Sequence, residues 1–353
     1  MDDLIPIFRA KANVMQDGII ICFSFCHMVL DGFGFCNAMK SLADCCRSPG
    51  LTSLATDPCK EAQTRRTIFE ARLDSNAQQQ AHSHFFGDYS FEQMPNTSPE
   101  SPITRIFTLD AARVQSLQNA CNTMLRCRSD TQNVYLSKNH IITSLMWLCS
   151  IRSRYASQSI KSHSEKDTIP EKSYITTIVD VRKVLQLPLS YMGNAVLCVQ
   201  TFAGTDAILS PLAPSSEPAT TTEHVNSKDV EILAELSHQA HGTIQHITKQ
   251  YVQGHISRLC SSDDWTSYGL PGEITLSNVR HIPFYGLDFG VSLGRVENID
   301  VPEHRVPGVG WIMPARFEGA PWEVRIALEP KIMEGVQRDR LMKWLCAKQM
   351  PKL

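Results

Sequence analysis

Apolar and polar residues alternate along residues 6–15, and after the Gln16-Asp17-Gly18 turn the run Ile19–Phe25 is dense in β-forming side chains. Two extended runs around a short Gly-containing turn predict a hairpin. The period then changes. Behind Asp31-Gly32, residues Phe35, Ala38, Met39, Leu42, Ala43 and Cys46 recur at helical spacing, so this segment reads strand, sharp turn, helix. Residues 47–60, with Pro49, Gly50 and Pro58, predict a loop, and the polar stretch 61–83 predicts an exposed helix. Pro95 to Pro102 predicts a second loop where one domain gives way to the next.

A second block follows. Ile106–Leu109 reads as a strand, 111–127 as a helix with Val114, Leu117, Cys121 and Leu125 on one stripe, and 137–155 as a helix capped by Ser137. Tyr174–Val181 and Ala195–Phe202 read as strands on either side of a Pro188–Gly193 turn. The Pro-, Ser- and Thr-rich residues 207–228 predict a mobile loop, followed by one long helix from about Lys228 to Leu259. Strands are predicted at Ile274–Leu276, Pro283–Phe289, Val309–Met313 and Trp322–Leu328, with a last helix at about 336–347. There is no internal repeat. Helices and strands mix without a strict βαβ rhythm, which predicts α+β architecture with mixed sheets.

Composition narrows the function classes. The 353 residues suffice for two domains, and 42% hydrophobic with 20% charged residues describes an ordinary globular protein. A formal charge of −2 gives no basic field, which argues against nucleic acid or an anionic membrane surface as partner. No window holds the roughly 20 apolar residues of a membrane helix. Met1-Asp2-Asp3 lacks the positive start of a secretory signal, and the 12 cysteines are too sparse for a disulfide scaffold. These features predict thiols in a reducing compartment and a cytoplasmic protein.

The chemistry-bearing segment is His27-Met28-Val29-Leu30-Asp31-Gly32. His27 sits where a strand ends, the place where a scaffold presents a side chain to a cleft. Its imidazole, with an ordinary pKa near 6.5, can take a proton from a hydroxyl at neutral pH. Asp31 can hold an arginine or orient the loop, and Gly32 permits close packing or positive φ. Cys22, Cys26, His27 and Cys36 invite a zinc site, but strand alternation puts Cys22 and Cys26 on the face opposite His27, so no metal is expected. Cys45 and Cys46 read as helix-packing residues, and His82, His84, His238, His241 and His246 as solvated faces of polar helices.

Several separated segments carry a resemblance. CHMVLDGFGF resembles an HHxxxDG motif, with Cys26 in place of the first histidine. FTLDAARVQSLQ and LSKNHIITSLMWLCSIRSRY match helical regions, and VDVRKVLQLPLSYMGNAVL matches a VDxR…YxGNA stretch through Asp180, Arg182, Tyr191, Gly193 and Asn194. LSNVRHIPFYGLDFG is similar to an SSW…PFY…DFG segment, and GVGWIMPARFEGAPWEVRIALE to closing strands. In this order and spacing the chain resembles the BAHD-type acyltransferases, of the broad transferase family that includes fungal trichothecene acetyltransferases. The resemblance implies two chloramphenicol-acetyltransferase-like halves around a channel. It implies an acyl-CoA-dependent O-acyltransferase whose partners are acyl-CoA and a small-molecule alcohol, with no further cofactor and a monomeric state. His27 would be the catalytic base. Asp31 would pair with Arg182, and Asp288, Phe289 and Gly290 would hold the domain interface.

Three departures qualify the expectation. The family's DFGWG stands here as Asp288-Phe289-Gly290-Val291-Ser292. The SSW tryptophan is replaced by Val279, which cannot donate a hydrogen bond to an oxyanion; Ser277, and less so Asn278, are the candidate donors instead. His27 also arrives early, so residues 1–95 read as the remnant of a first half, completed by about 285–335, with 96–353 as the second half. Two alternatives stay open: a catalytically impaired, shortened relative, and a condensation-type enzyme that takes acyl groups from a carrier protein.

Overall fold

The computed structural model describes residues 6–48, 57–70, 101–128, 131, 133–156, 169–209, 225–261, 272–303 and 306–346. Two sheets of unequal size organise them. The smaller is the expected hairpin: β1 (Phe8–Val14) pairs antiparallel with β2 (Ile19–Phe25), Phe8 opposite Phe25 and Val14 opposite Ile19. It leads into α1 (Gly32–Arg47), which is followed by α2 (Pro58–Glu70).

The larger sheet has six strands. β3 (Ile103–Leu109) precedes α3 (Ala111–Arg126) and α4 (Lys138–Ala156). β4 (Lys172–Asp180), the short α5 (Arg182–Leu185), β5 (Val196–Gly204) and α6 (Thr205–Leu209) come next. Then follow α7 (Ser227–Gln245), α8 (Lys249–Ser261), β6 (Ile274–Asn278), β7 (Val309–Ile312), β8 (Trp322–Leu328), α9 (Pro330–Arg338) and α10 (Arg340–Leu345). The strand order is β3-β8-β7-β6-β4-β5, with β6 parallel to both its neighbours and the other pairs antiparallel. This is the mixed α+β arrangement the pattern predicts.

The core lies under this sheet. Ile141, Ile142, Leu145, Met146, Trp147, Leu148 and Ile151 are buried around the whole circumference of α4, as in a helix surrounded by protein. It packs against α7, α9 and β6, and the buried Trp147 indole donates to Ser173 Oγ at 2.7 Å. Within this core Asp229, fully buried at the start of α7, binds Arg152 at 2.7 Å and Arg340 through two hydrogen bonds.

Several boundaries differ from the sequence reading. The long helix expected over 228–259 is two helices, broken at His246–Thr248, where the His246 ring caps the Gly242 carbonyl at 2.6 Å. Pro283–Phe289 is not a strand: Phe284–Gly286 is a 3-10 turn and Asp288 makes only an isolated bridge to Arg295. Rich in β-formers, this segment opens on Pro283, which cannot donate to a ladder. The last helix starts earlier, at Pro330, and breaks at Asp339, whose carboxylate caps α10. Pro58 opens α2 instead of closing a loop. Within α1, Met39 and Ala43 are buried as expected, but Cys36 takes an inward place and Leu42 and Cys45 are exposed. His82 and His84, most of 207–228 and the 95–102 loop up to residue 100 lie outside the described residues. Strands β7 and β8, within 285–335, belong to the six-stranded sheet.

Candidate functional site

The hairpin delivers the chain to a tight turn. Cys26 N closes the hairpin on the Ile7 carbonyl at 2.9 Å, and the Val29 and Leu30 amides turn back on the Cys26 carbonyl. His27 stands on this turn, exposed to solvent, its ring 6.3 Å from that of Phe25. Phe25 stacks on Phe35 of α1 at 4.8 Å, and Phe35 lies 6.0 Å from Phe284, so a short aromatic row fixes the hairpin's end against the helix.

Asp31 is the anchor of the turn. It is 1% exposed, and each carboxylate oxygen is used. Oδ1 caps α1 by accepting Gly34 N at 2.8 Å and also accepts Arg182 Nη2 at 2.8 Å; Oδ2 accepts Ala195 N at 2.8 Å. Arg182, also buried, spends its remaining donors on Asp180 at 3.1 Å and on the Tyr191 and Gly193 carbonyls at 3.3 and 2.8 Å. Phe33 and Tyr191 stack over its guanidinium. A buried ion pair is tolerable only when its other lone pairs and protons are met, as they are here. The predicted Asp31–Arg182 pairing is therefore observed.

The partner of the turn is the 191–195 loop. Asn194 Nδ2 donates to the His27 carbonyl at 2.7 Å, and Leu30 bridges Gly193. Gly34 explains how closely they meet: a Cβ there would stand 1.9 Å from the Met192 carbonyl oxygen, so only glycine fits. Gly32, singled out from the sequence, has a looser role, since a Cβ would meet the Ile282 side chain at 3.2 Å and its φ is not positive. Sequence reasoning missed Gly34 because a glycine two places into a helix has no local signature of close approach.

Two cavities flank α1. The larger, about 500 Å³, lies between Phe33, Asn37 and Lys40 on the helix and the Leu189 and Pro283–Asp288 segments. Cys36 also lines it, but burial pushes its thiol up to about 11, so it is no nucleophile at neutral pH. The smaller, about 250 Å³, runs along Asp31, Gly32, Asn139, His140, Ser277 and Asn278. Ser277 and Asn278, on β6, thus share a cavity with the foot of the histidine turn, while His27 itself lines neither cavity. The Asn278 side chain is engaged, donating to Asn139 at 2.7 Å and accepting from Arg280 N at 2.9 Å.

His140 was not singled out from the sequence. Its Nδ1 accepts Ser137 N at 3.1 Å, beside the Ser137 cap, and its ring meets that of His241 edge-on at 5.1 Å. Burial, with the His241 charge second, holds its pKa down to about 4, so it is neutral. His241 is accordingly half-buried against His140 and not the solvated residue that its polar helix suggested.

Asp288-Phe289-Gly290 docks on the far end of α1. Arg47 donates to the Asp288 carbonyl, Asp288 Oδ1 accepts Gly290 N at 2.9 Å, and Arg295 lies 3.5 Å from Oδ2. The Gly290 N–H, with Arg295 and Arg47 nearby, holds the Asp288 carboxyl below its ordinary range. Gly290 has φ +90°, the left-handed region that glycine enters freely. Phe289 is half-buried, not a core side chain, and Val291 is fully exposed. Among the described residues no group of His, Cys, Asp or Glu is set to hold a metal ion, and no helix is long and apolar enough to cross a membrane.

Comparison with known proteins agrees with this geometry. The chain is 30% identical to the communesin N16 acyltransferase of Penicillium expansum, over 97% of this chain and 72% of that protein. It is 26% identical to the fumigaclavine B O-acetyltransferase of Aspergillus fumigatus, over 97% of this chain and 73% of that protein. Among solved structures, TRI101 of F. sporotrichioides, in complex with coenzyme A and T-2, superposes with a TM-score of 0.71 at 17% identity, covering 96% of this chain and 69% of that one. Vinorine synthase gives a TM-score of 0.58 at 13% identity, over 96% of this chain and 66% of the other, and both likenesses concern the fold. The model of the Transferase family matches residues 1–342, and the chain belongs to that family, the BAHD-type acyl-CoA-dependent O-acyltransferases.

Proposed function

We propose that the chain transfers an acyl group, acetyl first among them, from acyl-CoA to a hydroxyl of a small-molecule secondary metabolite, with His27 as general base. The relative named as a fumigaclavine B O-acetyltransferase supports acetyl transfer to oxygen, and the communesin N16 acyltransferase supports a small metabolite as acceptor. The observation that carries the reading is the buried Asp31–Arg182 pair beneath an exposed histidine. It fixes the turn's backbone while leaving the imidazole open to substrate.

In this mechanism His27 accepts the proton of the acceptor hydroxyl as its oxygen attacks the thioester carbonyl. The tetrahedral intermediate then collapses with loss of the CoA thiolate, to which the imidazolium returns the proton. General-base help of this kind is worth roughly 10²–10⁴-fold. Ser277 is the better oxyanion donor, because the Asn278 side chain is already engaged with Asn139 and Arg280. Acyl-CoA serves as co-substrate and no other cofactor enters. The enzyme acts as a cytoplasmic monomer, its first half carrying the histidine turn and residues 96–353 forming the second.

The test is CoA release from acetyl-CoA with a panel of terpenoid, alkaloid and polyketide alcohols, against an acyl-carrier-protein donor as control. His27→Ala should lower turnover roughly 10²–10⁴-fold while the thermal midpoint stays in place. A folded His27→Ala protein that keeps full activity overturns the assignment.

A further inference from the structure

We propose that Glu61 is a positioning residue for the His27 turn: from α2 it holds the 191–195 loop by two backbone N–H groups and thereby sets where His27 stands. This rests on His27 being the base. A single oxygen, Oε1, accepts both Met192 N and Gly193 N at 3.0 Å each, while Arg65 lies 3.5 Å away on the same helix. The side chain is only 14% exposed. A carboxylate so far removed from water is costly unless met by donors, and two successive amides converging on one oxygen form a short anion-binding nest.

The loop so held is the one that grips the turn. From Met192 to Ala195 every residue carries a bond in one of two directions. Met192 and Gly193 donate to Glu61; Gly193 also accepts from Arg182, Asn194 donates to the His27 carbonyl and Ala195 donates to Asp31. On its other side the loop is pressed against α1, where Gly34 leaves no room beside the Met192 carbonyl. The loop is thus pinched between α1 and α2. Ile68 seats α2 on the apolar cluster of Val181, Tyr191, Leu197 and Val252, so the carboxylate is held on a fixed support.

The experiment uses the full chain with Glu61→Ala, Glu61→Gln and the exposed neighbour Lys60→Ala as control. A displacement of about 1 Å at a reacting group can cost about 10²-fold, so Glu61→Ala should lower kcat roughly 10–100-fold, with KM for acetyl-CoA within about twofold. Glutamine keeps an oxygen that can accept both amides, and neutral bonds are about half as strong, so it should lose no more than about threefold. Hydrogen exchange at Met192 and Gly193 should speed in the alanine variant alone, and the His27 ring resonance should shift with it. These last two signals need no turnover. If the wild-type chain transfers no acyl group, the catalytic reading fails while exchange and ring shift still decide the clamp. Unchanged kcat, exchange and ring position in Glu61→Ala overturn the proposal. So does a fall of kcat and a rise of KM shared equally by the glutamine variant, which would mark a role in folding alone.

Discussion

The two sheets of this molecule start from the same kind of sequence and meet opposite fates. β8 and β2 are both runs of β-forming residues, yet Val324 through Leu328 are buried while Ile20 is 58% and Ile19 is 43% exposed. The six-stranded sheet has α4 and its neighbours across its face; among the described residues the hairpin has α1 behind one end. What holds the hairpin's end in place is the Phe25–Phe35–Phe284 row together with polar bonds: a capped helix, a buried ion pair and a loop bonded through its backbone. Strand-forming side chains report that a segment can extend, and the packing partner decides whether extension stabilises the fold. The candidate site sits in the half whose order depends on a few directed bonds.

This contrast can be broken or sharpened by measurement, and the largest effect is expected at the ion pair. Asp31→Ala strips the helix cap and leaves Arg182 with Asp180 as its remaining carboxylate, a loss of about 3–5 kcal/mol in denaturant unfolding. If the variant unfolds with wild-type stability, the turn is not held as described. Leu145→Ala, at the centre of α4, should open a cavity and cost about 2–5 kcal/mol by the same measurement, but with acyl transfer intact at low temperature.

Acidity offers a third comparison. His140 is neutral in the fold with a pKa of about 4 against 6.5 when unfolded, so its contribution is fully present above pH 6.5 and is lost as pH falls toward 4. The loss at pH 5 is on the order of 2 kcal/mol, and a His140→Gln variant should flatten the fall in thermal midpoint between pH 7.5 and 5. The smallest effect belongs to the hairpin: Ile20→Thr should change stability by less than about 0.5 kcal/mol, because its side chain buries little. A cost as large as that at Leu145 would mean that the hairpin is covered in solution.

Legibility in the sequence followed the distance between cooperating residues. The hairpin, the helix after Asp31 and the stripe of α3 were readable because neighbours in sequence carry the period. The Asp31–Arg182 pair, 151 residues apart, was reached only through the resemblance to the family. Glu61 stayed hidden: it sits in a polar stretch with no motif, and its partners are main-chain amides that no side-chain pattern encodes. The break at His246 was missed since no proline or glycine stands at 246–248 and a ring-to-carbonyl cap replaces them. Pro283–Phe289 misled in the other direction, its aromatic content serving the contact with Phe35 instead of a ladder.

One carboxylate both begins a 16-residue helix and grips Arg182 and the Ala195 amide, next to the Asn194 that holds the His27 carbonyl. The first helix therefore cannot fray from its leading end without casting the imidazole adrift. Heating or mild denaturant should extinguish turnover at the point where α1 starts to unwind, well before the deep interior around Trp147 lets go.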